Sequence, residues 1–196
     1  MNRQPFLDGR DLCCMDRKGA LDLLDRYVSS PSLRNHCIAT AAVMRALADR
    51  LDEDADLWET IGILHDIDYE VVDGDMERHG PEGAAILGRE GIDEKICSAV
   101  ERHNHLLHAP YTSRLDLCLQ TADSISGLVI ACALVKGGAV EEVSPRSVRK
   151  KLKDRSFAAG CDRDRIAAAT AFIDADDLYA IAIASVVSVK TELGLR

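Results

Sequence analysis

Apolar positions recur along this chain every three to four residues, the spacing of one face of an α-helix. Few stretches alternate apolar and polar residues as half-buried strands do. The spacing predicts helices over residues 17–28, 33–51, 56–65, 81–89, 93–103, 114–136, 145–153, 163–173 and 176–193. The punctuation agrees. Ser144 precedes Pro145, a capping side chain followed by proline at the first helical position. Asp174 is placed to cap the last helix, and Gly91 and Gly160 sit where helices should stop. The stretch "VVDGDMERHG" reads as a loop, with Gly74 and Gly80 as breakers. The expected architecture is an all-α bundle forming one compact domain over 1–196, with no internal repeat or linker.

Composition narrows the setting. At 196 residues and 47% hydrophobic, the chain can bury a sizeable core. No apolar run reads as a membrane span: the stretch after Ile181 is broken by Ser185, Ser188 and Lys190. The N-terminus lacks an apolar signal core, so a cytoplasmic location is the expectation. A net charge of -9 argues against a general nucleic-acid surface, because phosphate backbones need clustered cations. It leaves room for a small phosphorylated substrate, such as a nucleotide, held by a few local cations. Seven cysteines with no CxxC spacing read as reduced thiols, including the vicinal pair Cys13–Cys14. The basic run Arg146, Arg149, Lys150, Lys151, Lys153, Arg155 reads as a solvated helix face or as a local anion site. The final helix, "LYAIAIASVVSVK", reads as core or as a homodimer face.

The candidate chemistry lies in the histidines. His65–Asp66 puts an imidazole beside a carboxylate at the end of an apolar run. Such a dipeptide is expected by chance about once in a chain of this composition, so its weight depends on companions. Helical phase supplies them. His36 shares a face with Ala39, Thr40 and Val43; His65 follows Leu57, Ile61 and Leu64. His103 follows Ile96, Ala99 and Val100, and Asp123 lies with Leu119, Ala122, Ser126 and Ile130. Each helix thus turns a polar group inward, which is costly unless something pairs with it. No Lys or Arg shares those stripes, and metal ions would satisfy all four groups together. His79 stands just before Pro81 opens another helix, with Gly80 allowing a close turn.

These residues resemble the HD superfamily of metal-dependent phosphohydrolases. The resemblance runs from His36 through "LHD" at His65–Asp66, "HGPEGA" at His79 and "ERHNH" at His103 to "TADSISG" at Asp123. It covers about residues 17–136, and the later "KKLKDRSFAAGCDRDRI" resembles the tail of small bacterial members, a helical extension over about 144–196. The order H…HD…H…H…D is similar to that of the dinuclear branch. The resemblance then implies that His36, His65, Asp66 and Asp123 hold one divalent metal. Asp66 bridges to a second, which His79 and His103 complete. In two respects the chain departs from the pattern. "HDIG" becomes "HDID", placing Asp68 where glycine is common, as a proton carrier or simply a polar residue after a helix. No "GYP" follows His103, which argues against that cyclic-dinucleotide phosphodiesterase subtype. His105 and His108 are left over; the spacing allows His105 to reach the site, but His103 has the better helical phase.

A set of histidines and carboxylates without cysteine suits Fe, Mn, Zn, Co or Ni and does not choose among them. The expected activity is hydrolysis of a nucleotide or small phosphoester, with Asp66 at the reacting centre and Asp68 as proton carrier. Arg78, Arg102, Lys136 and Lys153 are candidates to offset substrate phosphate charge. Two alternatives share the same residues: a mixed-valent di-iron oxygenase of the HD type, and a metal-containing sensor with little turnover.

Overall fold

A computed structural model describes residues 15–196. Among the described residues there is no strand, and ten α-helices follow one another: α1 (Arg17–Tyr27), α2 (Pro31–Leu51), α3 (Ala55–Leu64), α4 (Pro81–Arg89), α5 (Glu94–Arg102), α6 (His105–His108), α7 (Arg114–Leu134), α8 (Pro145–Leu152), α9 (Arg163–Ala167) and α10 (Ala175–Ser188). The all-α expectation holds. The caps are those the sequence offers: Ser144 and Ser147 form a reciprocal capping box on α8, and the Asp174 carboxylate accepts from the N–H groups of Asp176 and Asp177. The Cys13–Cys14 pair lies outside the described residues. Cys37, Cys97, Cys118, Cys132 and Cys161 are all unpaired thiols.

The differences lie where local pattern is weak. The helix expected over 163–173 is α9 followed by a 3-10 turn at Ala168–Ala171, and α10 stops at Ser188. The four-residue α6 is too short to show a period. Gly160 ends no helix, since α8 stops at Leu152. The segment between them folds instead around Arg163, whose guanidinium donates to the carbonyl oxygens of Asp154, Phe157, Ala158 and Cys161. The basic run is mostly exposed, as a solvated face would be, and its Arg149 pairs with Asp176. One sequence expectation needs correction. Helix α7 is long and apolar enough to cross a membrane by length and composition, but 67% of that window is buried inside the fold. It is a core helix, with most of its length covered by neighbours.

The core centres on α2, which packs against α3 on one side and α7 on another. Gly62 permits the first of these contacts. A Cβ there would lie 2.5 Å from the Cα of Ala41, so any side chain would push α3 off α2. A hydroxyl pair, Thr40 with Ser126 at 3.1 Å, joins α2 to α7 inside the core. Helix α10 lies along α2 and α7 and buries Leu178, Ala182, Ile183 and Val186 there, so its apolar side is used within the chain. The turns over 65–80 are tied down by Glu70, whose carboxylate accepts from the N–H groups of Ser29 and Ser30 at 3.0 and 2.8 Å. The result places one residue of α2, the ends of α3 and α5, the loop before α4 and the middle of α7 around a common point.

Candidate metal centre

Local geometry aims each histidine before any long-range contact is made. His65 and His103 are not inside their helices but cap the C-termini of α3 and α5. There the last carbonyls lack helical partners. His65 Nδ1 donates to the Gly62 carbonyl at 2.9 Å, and His103 Nδ1 donates to the Val100 carbonyl at 2.5 Å. His79 Nδ1 donates to Asp68 Oδ1 at 2.9 Å. All three partners can only accept, so Nδ1 carries a proton and Nε2 is the nitrogen left to face a metal in the neutral ring.

Those nitrogens converge. His36 Nε2 lies 3.2 Å from His65 Nε2, and His79 Nε2 lies 2.9 Å from His103 Nε2. Asp66 sits between the two pairs. Its Oδ2 is 3.5 Å from His36 Nε2 and 3.4 Å from His65 Nε2. Its Oδ1 is 3.4 Å from both His79 Nε2 and His103 Nε2. Donors bound to one metal at about 2.1 Å and at right angles lie about 3.0 Å apart. Two groups therefore have the spacing to hold an ion each: His36, His65 and Asp66, and Asp66, His79 and His103. Acceptors this close repel one another unless a cation lies between them. Asp123 is in neither group but borders the first, with Oδ1 3.1 Å from His36 Nε2 and Oδ2 paired to Arg165.

The electrostatics follow from crowding titratable groups in a buried space. Burial pushes the His65 pKa down to about 4, keeping it neutral. For His79 burial acts in the same direction, but the carboxylates of Asp66 and Asp68 outweigh it and raise the pKa to about 9. Burial opposes ionisation of Asp66, yet the surrounding imidazoles of His65, His103, His79 and His36 hold it well below the usual carboxylate range. Asp123 is likewise lowered against its burial, by His36 and by Arg165.

Asp68 is fully buried, and its carboxylate is saturated. Oδ2 accepts from the N–H groups of Gly80 and Gly83, both at 2.8 Å, while Oδ1 holds His79. It is placed to orient a ligand candidate, His79. Two glycines make room for it. Gly80 has φ +91, and a Cβ there would meet the Glu101 carbonyl oxygen at 2.7 Å; a Cβ on Gly83 would lie 2.9 Å from Val100 Cγ1 and 3.2 Å from Asp68 Cγ.

The structure does not gather the cations expected to face phosphate. Arg78 is exposed. Arg102 is tied to Asp116 at 3.0 Å and to Ser98. Lys136 lies 3.8 Å from Glu142, beyond the end of α7 and about 20 Å along that helix from Asp123. Lys153 is exposed in a separate cleft with Arg149 and Tyr179. His105 joins neither ligand group. Two residues that periodicity did not single out do border the site. Arg165, on α9, pairs with Asp123, and Tyr69 sets its ring edge-on to His79 with centroids 5.3 Å apart. Tyr69 and His36 also line a groove of about 950 Å³, together with Gly127, Ile130, Leu134 and Leu193.

A family model for the HD domain matches residues 33–128, so this part of the chain is an HD domain. The match includes His36, His65, Asp66, His79, His103 and Asp123. The chain is also 40% identical over 88 residues to a tRNA (cytidine(56)-2'-O)-methyltransferase of Thermoplasma volcanium. That likeness covers 45% of this chain and 25% of the methyltransferase, so the chain spans about a quarter of that relative's length. No solved structure matches the chain.

Proposed function

We propose that this HD-domain chain is a metal-dependent phosphohydrolase acting on a nucleotide or another small phosphoester. The observation that carries the reading is the position of Asp66, whose two oxygens each face a different histidine pair. In this reading His36, His65, Asp66 and Asp123 hold one divalent metal, and Asp66, His79 and His103 hold a second. Two bound metals would supply Lewis acidity toward a phosphoryl oxygen and would lower the pKa of a water enough to make it a nucleophile near neutral pH. The chain's own residues do the rest. Asp68, Gly62 and Val100 fix three imidazoles in the tautomer that presents Nε2 to the centre. Asp66 keeps the two halves at one separation. The groove beside His36 and Tyr69 receives the organic part of the substrate, and its mostly apolar lining suits a nucleoside or similar group. The methyltransferase likeness covers too little of that protein to carry its reaction over to this chain.

The test is metal analysis of protein purified without chelating resin, followed by a phosphoester panel and an oxygen electrode. The reading expects two metals per chain and phosphate release without oxygen uptake. Oxygen consumption by an iron-loaded protein that hydrolyses no phosphoester would replace it with the oxygenase alternative. Tight nucleotide binding with no turnover would replace it with the sensor alternative.

A further inference from the structure

Among the described residues, Arg165 is the only Lys or Arg in ion-pair contact with a candidate ligand. It is placed there by the backbone. Thr121, two residues before Asp123 on α7, donates its hydroxyl to the Arg165 carbonyl at 2.9 Å and accepts from the Ala169 N–H at 3.1 Å. That clamp sets α9 against α7, and the guanidinium reaches Asp123 Oδ2. The side chain is 19% exposed, so it is neither sealed in the core nor free on the surface. A guanidinium has five N–H donors, and among the described residues this one bonds to Asp123 while its Nε is buried without a partner. Its charge bears on His36 of α2, His105 of α6, Tyr111 and Asp123, which places it amid groups drawn from several elements around the site.

This arrangement is incomplete as a purely structural ion pair. If Asp123 lends charge to a metal, its hold on Arg165 weakens, and a cation with unused donors stands beside the reacting centre. Arg presents a planar fork that matches two oxygens of a tetrahedral oxyanion. We propose that Arg165 recognises the phosphoryl group of the substrate at the metal centre, holding Asp123 in the resting protein and a phosphoryl oxygen in the complex. The proposal rests on the phosphohydrolase reading above and names the residue that supplies its substrate charge recognition.

The experiment is calorimetric titration of inorganic phosphate into the manganese-loaded full chain, with metal content measured on the same samples. Three proteins are compared: the wild type, Arg165→Gln and Arg165→Lys. The proposal expects wild-type metal content in both variants. It expects phosphate affinity to fall tenfold or more in Arg165→Gln and by less in Arg165→Lys, which keeps the charge and loses the fork. Wild-type phosphate affinity in a fully loaded Arg165→Gln would overturn it and leave the phosphohydrolase reading intact. Loss of metal in Arg165→Gln, with unchanged phosphate affinity per loaded chain, would also overturn it by making Arg165 a positioning residue for Asp123. A loaded wild type that binds no phosphate would overturn the phosphohydrolase reading together with this one.

Discussion

Asp68→Asn tests how the second half of the centre is built, because the substitution keeps size and changes one acceptor into a donor. Three N–H groups converge on the native carboxylate: Gly80 and Gly83 on Oδ2 and His79 on Oδ1. An asparagine can satisfy only one side. If its oxygen takes the Oδ2 place, its NH₂ faces His79 Nδ1. The imidazole must then accept there, which moves its proton to Nε2 and removes the lone pair from the centre. If its oxygen faces His79, the NH₂ opposes two backbone donors. Either way a bond to an ionised group is lost in a buried place, a change of about 1.5–3 kcal/mol. At about 1.36 kcal/mol per decade, this is a roughly 10- to 150-fold loss in affinity for whatever His79 ligates. The range agrees with the effect of removing outer partners of metal ligands, roughly 10- to 100-fold. Stepwise metal titration should show one site weakened by that factor and the other, around His36, His65 and Asp123, unchanged. An Asp68→Asn protein that binds two metals with wild-type affinity would refute the account of His79 orientation.

Asp66→Ala should abolish both metal sites at once, and added metal should no longer raise the melting temperature, since binding to the native state is what supplies that gain. His79→Ala should instead leave one metal, counted by elemental analysis. Gly62→Ala should destabilise the protein by about 1–3 kcal/mol in denaturant unfolding, because its Cβ would lie 2.5 Å from the Ala41 Cα and must separate α2 from α3; wild-type stability would show that the α2–α3 approach is not close. The raised pKa of His79, about 9, fixes a sign for the metal-free protein. Protonated His79 favours the folded state, so that contribution is full below pH 6.5, its ordinary value, and is lost as pH rises to about 9. A metal must displace the same proton, so binding near pH 7.5 should release it, and titrations in buffers of different ionisation enthalpy will show a buffer-dependent heat. Identical heats in all buffers would mean that His79 is already neutral.

The sequence by itself determined the helices and the inward-turned residues. Periodicity placed nine of the ten described α-helices, because each needs an apolar stripe facing the core, and that stripe is a local property of the chain. His36 and Asp123 were legible for the same reason, as polar groups on such stripes. The assignment of His79 needed the resemblance, because it stands in a loop, where periodicity says nothing. Tertiary structure decided what those residues do to one another. Only the crossing of α2 with α3, made possible at Gly62, brings His36 within 3.2 Å of His65. Only the packing of the 65–80 turns on α4 and α5 buries Asp68 against His79. The cations show the limit most clearly. Arg78, Arg102, Lys136 and Lys153 were drawn from charge along the chain, whereas Arg165 reaches Asp123 across 42 positions through the contact of α9 with α7. Charge is a property of a residue, but its partner is chosen by distance in space, which no local pattern encodes.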